Sequence, residues 1–231
     1  MQENTAYWNS IADGVWALSD QFINKGMSVS TRMTVFRLDN GSLFSHSAVP
    51  LTPAQKADLD RLGTLRHIVA PSAFHHLFLP ALARLYPQAH LYGTESVLRK
   101  HPDLAQLQRI PPGASAPWAG QLQHLPVSGI PLLDETVWFH AATGSLNATD
   151  LLQCWQGPLS LPVRLYLGLT GGHERLTVPR TVRLLVKDKA AVQACARQIE
   201  SLAVQRVILL HNSIIDVQPK QRLREALSIW D

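Results

Sequence analysis

Short apolar runs, bounded by Gly, Pro, Asn and Asp, alternate along the 231-residue chain with stretches whose apolar residues recur every three or four positions. The first pattern predicts buried strands and the second amphipathic helices. Residues 15–18 read as a strand after the Asp13-Gly14 turn. Residues 33–38 and 42–45 read as two more, joined by Asp39-Asn40-Gly41, because Asn and Gly tolerate positive φ. Thr52-Pro53 opens a helix, with Thr as cap and Pro at the first helical position. Strands follow at 66–70 and 89–92, with helices from Phe78 or Leu79 and from Thr94 to about Lys100. After a loop at 110–117, strands are expected at 122–125, 136–139 and 145–148. Asp188 caps a helix bearing Val192, Cys195, Ile199 and Leu202; residues 207–210 form a strand; Pro219 starts a helix bearing Leu223, Ala226, Leu227 and Trp230.

Hairpins, then βαβ units, then hairpins, then αβα, is a mixed order. It predicts an α/β (α+β) fold, an αββα sandwich of two mixed β-sheets flanked by helices. No linker interrupts it, so residues 1–231 are expected to form a single domain. The pattern weakens between Leu151 and Val178, where Gly157-Pro158, Leu161-Pro162 and Gly171-Gly172 predict a loop-rich insertion at about 153–178.

Composition narrows the function classes. Hydrophobic residues at 46% exclude a disordered chain, and no apolar run reaches the roughly 18 residues of a membrane helix. The net charge of +4 is scattered rather than gathered into a patch, which argues against nucleic acid. Cys154 and Cys195 make no disulfide framework, and Met1-Gln2-Glu3-Asn4 lacks the features of a signal peptide. The expectation is a cytoplasmic protein acting on a small molecule, with neither nucleic acid nor membrane as partner. Its oligomeric state has no signature in the sequence.

The ten histidines are the excess that bears on chemistry. Functional side chains in such folds collect where strands end. Four strand ends carry polar residues: Ser45-His46-Ser47, Phe74-His75-His76, Thr149-Asp150 and His211-Asn212. Imidazole and carboxylate are good ligands for zinc and iron. Read locally, each has a plainer alternative: His75 as a helix cap, His76 packed beneath it, Asp150 as a turn residue, His46 and His211 as core histidines. His140 ends the 136–139 strand and could reach such a site or face solvent. His67 falls at the opposite strand end, and His90, His101, His124 and His173 read as surface or loop residues. Trp118, Trp155 and Tyr166 are candidate apolar walls, or core. No G-x-G-x-x-G, P-loop or G-x-S-x-G is present.

These anchors resemble the metallo-β-lactamase-like hydrolase superfamily, and more closely a divergent branch known as an uncharacterised domain family. The resemblance runs from about Ile11 to Asn212. Where the superfamily has T-H-x-H-x-D-H, this chain has Ala70-Pro71-Ser72-Ala73-Phe74-His75-His76. Two motif histidines are replaced by Pro71 and Ala73, the aspartate by His75, and His76 matches the last histidine. No histidine precedes the strand at Glu135, where Ser128-Gly129-Ile130 stands. Asp150 matches the bridging aspartate and His211 the final histidine. The resemblance therefore implies that one metal position is lost and the other retained, with His75, His76, Asp150 and His211 as ligands. It implies one divalent transition metal, zinc or else iron or manganese, with no organic cofactor. His46 and His140 are then candidate catalytic residues, orienting ligands or moving protons. A mononuclear hydrolase follows, or else an inactive binding or structural protein on the same scaffold.

Overall fold

Asn40 and Gly41 close the turn predicted for them: Asn40 Oδ1 accepts from the Ser42 N–H at 3.0 Å, and Gly41 takes φ of +78°. The computed structural model describes residues 7–24 and 27–230. The signal-peptide question at Met1 to Asn4 lies outside them. The chain divides into two compact units, Met1–Asp20 with Thr31–Gln121 and Gln21–Ser30 with Leu122–Asp231.

One sheet holds β1 (Asn9–Ala12), β2 (Val15–Asn24), β3 (Met27–Arg37), β4 (Leu43–His46), β5 (Leu65–Ala70), β6 (His90–Gly93) and β7 (Leu107–Arg109), neighbours in that order, all in the first unit except the stretch of β2 and β3 within residues 21–30. β4 to β7 run parallel, and β3 and β4 antiparallel. Helices α1 (Pro53–Leu62), α2 (Leu79–Leu85) and α3 (Glu95–Lys100) fill the crossovers, as parallel strands require. Thr52 and Gln55 make a reciprocal capping box at the start of α1. One face of the sheet buries Val35, Ile68 and Leu91 with Leu59, Leu62, Leu79 and Leu82 of the helices. The other carries Phe36, Phe44, His67 and His90, aligned across four strands. Trp118, considered as a pocket wall, is instead fully buried and meets Phe44, His67 and Tyr92 edge-on at 4.9 to 5.7 Å.

The second unit holds β8 (Leu122–Pro126), β9 (Thr136–His140), β10 (Ser145–Ala148), β11 (Arg206–Leu209) and β12 (Ile214–Ile215), in the sheet order β12-β11-β10-β9-β8. Only β10 and β11 pair in parallel. Helix α6 (Lys189–Ser201) packs on β8 and α7 (Pro219–Leu227) on β11. Asp188 caps α6 as expected, accepting from the Ala191 N–H at 3.0 Å.

The expected loop at 153–178 is more ordered than its composition suggests. It contains α4 (Leu161–Thr170), and α5 (Arg180–Leu184) follows it. Pro162 lies in the first turn of α4, where a missing N–H costs nothing, so Leu161-Pro162 starts a helix instead of breaking one. Isolated bridges at Gln153↔Thr177 and Trp155↔His173 close the segment at its base. Together the two mixed sheets with flanking helices match the fold class read from the sequence.

His67 is 7% exposed, and burial, then His90 and Arg66, hold it down at about 4 from an ordinary 6.5. Between these values the unfolded chain takes up a proton that the folded chain refuses. Stability contributed by the neutral ring is therefore complete above pH 6.5 and is lost as pH falls towards 4. Urea denaturation of chelator-treated protein across this window should show a loss approaching ~1.4 kcal/mol per pH unit from this residue. His67→Phe should make the pH slope shallower.

Candidate metal centre

Glu135, immediately before β9, is buried, and its carboxylate gathers the backbone of the segment that follows β10. Oε1 accepts from the Thr149 N–H at 2.6 Å, and Oε2 from the N–H groups of Asp150 at 3.0 Å and Leu151 at 2.8 Å. Burial and the nearby Asp150 carboxylate push Glu135 up to about 7, while the N–H donors from Thr149 and Leu151 pull the other way. The clamp fixes where the Asp150 side chain leaves the sheet. Glu135 had been read only as a strand start: a single carboxylate bonding 14 to 16 residues away has no spacing signature.

His211 follows β11, the parallel neighbour of β10, so the same sheet edge carries both residues. Its Nδ1 lies 2.5 Å from the Ser30 carbonyl oxygen. A carbonyl only accepts, so Nδ1 carries the hydrogen, and in the neutral tautomer the lone pair is at Nε2. That nitrogen stands 3.5 Å from Asp150 Oδ1. The separation exceeds the roughly 2.7–2.9 Å of a charge-assisted hydrogen bond. It is close to the ~3.3 Å between two ligands held at about 2.0–2.1 Å on a tetrahedral ion. The donor set thus fits a cation. Trp155 stacks on the imidazole, with centroids 5.9 Å apart and planes inclined by 13°. Beyond it, Asn212, in the left-handed region at φ of +61°, makes a two-way bond with the Gln156 backbone, accepting at 2.8 Å and donating at 3.2 Å. Tyr166, another candidate wall, is partly exposed on α4; burial, then the Asp150 charge, raises its hydroxyl above the ordinary range.

In the first unit, His75 and His76 occupy the turn between β5 and α2 as the motif implied. His76 Nδ1 lies 2.8 Å from His101 Nε2, so one ring nitrogen is already engaged. Burial, with Lys100, His101 and His75 alongside, keeps His76 neutral at about 4. His101, expected to be a simple surface residue, is thus its partner. His46 ends β4 at 1% exposure. Burial, then His75, depresses it to about 3, and its Nε2 is buried without a hydrogen bond. A histidine held neutral that firmly cannot serve as a general acid near pH 7, so proton transfer by His46 is not supported.

The structure does not bring His140 to Asp150. Antiparallel register pairs His140 with Ser145 at the start of β10, and its Nδ1 bonds Thr143 Oγ1 at 2.8 Å. Asp150 lies five residues further along, roughly 16 Å away at about 3.3 Å per residue.

Residues 12–156 match the family model described as "Domain of unknown function (DUF4336)". The chain belongs to that family. Comparison with curated proteins finds none that matches. Among solved structures, it resembles a metallo-β-lactamase from Pontibacter korlensis, with a TM-score of 0.64 and 12% identity over 96% of this chain and 97% of that one. It also resembles the metallo-β-lactamase FIM-1 from Pseudomonas aeruginosa in its mono-zinc form, with a TM-score of 0.62 and 14% identity over 96% and 94%. The metal-soaked Flv1 flavodiiron core from Synechocystis sp. PCC6803 matches with a TM-score of 0.64 and 14% identity, over 97% of this chain and 60% of that one. At such identities the likeness is one of fold. This DUF4336 chain has the metallo-β-lactamase fold.

Removing the Glu135 carboxylate strands three backbone donors. Glu135→Ala should destabilise the protein by roughly 3 kcal/mol or more, read from its urea midpoint. In hydrogen exchange, the Thr149, Asp150 and Leu151 amides should lose protection more than those of β8, separating loss of the clamp from general unfolding.

Proposed function

We propose that the protein is a mononuclear metal-dependent hydrolase of a small molecule, with Asp150 and His211 as ligands to one divalent transition metal. The observation that carries this reading is the 3.5 Å approach of His211 Nε2 to Asp150 Oδ1, with the His211 tautomer set by the Ser30 carbonyl. The superfamily motif places a ligand where His75 stands, and that resemblance implies His75 as a third donor. His76, expected as a fourth ligand, bonds His101 through Nδ1 and keeps Nε2; it is left out of the set on coordination number alone. Three protein donors leave a coordination position for water, which four on a tetrahedral ion would not. Two imidazoles and a carboxylate suit zinc, and also iron or manganese.

When bound, such a metal lowers the pKa of a coordinated water and polarises a carbonyl or phosphoryl oxygen. The protein's own contribution is orientation. The Ser30 carbonyl fixes which His211 nitrogen is available, and Trp155 restricts the ring to one plane. Glu135 holds the Asp150 backbone in place. His46, neutral and buried beside His75, acts as a positioning residue with no proton to give.

Elemental mass spectrometry on tag-free protein should find about one metal per chain. Asp150→Ala and His211→Ala should each lose it, whereas His76→Ala should keep it. A panel of esters, thioesters and phosphoesters should be hydrolysed by the metal-loaded protein and not after chelation. Hydrolysis that persists without metal would reject the mechanism. No uptake even on reconstitution would mean an inactive scaffold that binds partners.

A further inference from the structure

Helix α4 is apolar on both sides. Val163, Leu167 and Thr170 face inward, where Val163 and Leu167 pack with Trp155, Leu159 and Val29. Leu161, Leu165 and Leu169, at steps of four, form the opposite side and are 67%, 63% and 75% exposed. A soluble surface helix normally turns polar residues outward, and one that is apolar all round belongs in a core or against lipid. Contiguous exposed leucines of this kind mark an interaction surface.

Charge identifies the occupant. From the start of α4 to the end of α5, the chain carries Arg164, Arg175, Arg180 and Arg183 against one acidic residue, Glu174. That net +3 in 24 residues is most of the +4 of the whole chain. Arg164 is exposed on α4 itself, and Arg180 Nη1 bonds the Leu169 carbonyl oxygen at 3.3 Å, placing a cation where the leucine stripe ends. Arg183 is held towards the preceding loop by Val178 and Thr177. Leu184, 82% exposed, adds a further apolar side chain on α5. Leucines flanked by arginines suit the interfacial zone of a bilayer, where apolar chains enter the acyl boundary and guanidinium groups meet phosphate. A second copy docking through the same patch would set +3 against +3, since a two-fold contact is self-complementary. No helix among the described residues is long and apolar enough to cross a membrane, so the contact is peripheral.

We propose that the outer face of α4, with the arginines around it, is a docking surface for an anionic lipid bilayer. The sequence had predicted no membrane partner, because it offers no spanning segment and its leucines fell in a stretch read as loop. The proposal is independent of the metal centre.

The test is flotation of the full-length protein with vesicles of phosphatidylglycerol and phosphatidylcholine in equal parts, against phosphatidylcholine alone. The protein should float with the anionic vesicles, less so at high salt, and Leu165→Glu with Leu169→Glu should weaken binding about tenfold or more. Both side chains are exposed, so the variant's thermal unfolding should match that of the parent. Arg164→Ala with Arg180→Ala should weaken binding to the anionic vesicles and leave the small binding to the neutral ones unchanged. Failure of the parent protein to float, or equal flotation of the double-Glu variant, would overturn the proposal. So would a dimer seen by analytical ultracentrifugation that the double-Glu variant abolishes, because the face would then belong to a second copy.

Discussion

The buried Glu135 carboxylate, closed around three consecutive backbone N–H groups, is the constraint on which the second unit's chemistry depends. A side chain just past a strand end sits on backbone that has left the sheet ladder, so the N–H groups there need other acceptors. Here one side chain supplies all of them. The arrangement holds Asp150 in place through its backbone, leaving its carboxylate directed at His211. A carboxylate buried beside a second one is costly to ionise, and the N–H donors offset part of that cost, leaving Glu135 raised to about 7.

On the other side of the pair, position again comes from backbone chemistry. The Ser30 carbonyl selects the His211 tautomer, Trp155 limits rotation of the ring, and Asn212 ties the residue after it to Gln156. None of these contacts depends on the identity of a substrate. Such a frame fixes Asp150 and His211 at a spacing that suits a cation, and it would reduce the ordering needed if one were bound.

Much of the fold was legible because its signals are local. Thr52 with Gln55, Asp188 with Ala191 and the Asn40-Gly41 turn lie within three residues of their partners. What was missed is either polar or non-local. β2 runs on to Asn24 through Ser19, Asp20 and Gln21, which carry no apolar signal, and β7 has only three residues. Helix α4 was hidden by Pro and Gly, residues that also begin and end helices. The His75-His76 turn and the strand-end positions of Asp150 and His211 were readable from a family motif, whereas the bonds of Glu135 and His101 were not, because their partners lie 14 to 25 residues away. His140 looked equivalent to the others until antiparallel register assigned it to the far strand end.

The two bridges at the base of the α4 segment, Gln153↔Thr177 and Trp155↔His173, bear on how much change in length the segment tolerates. They close the segment on itself at its base, and Gln156 bonds Asn212 beside His211. Loop-closure entropy grows only slowly with length, so insertions or replacements there are cheap. The length of chain between the bridges can therefore change at little entropic cost while the backbone bonds that hold Asp150 stay in place.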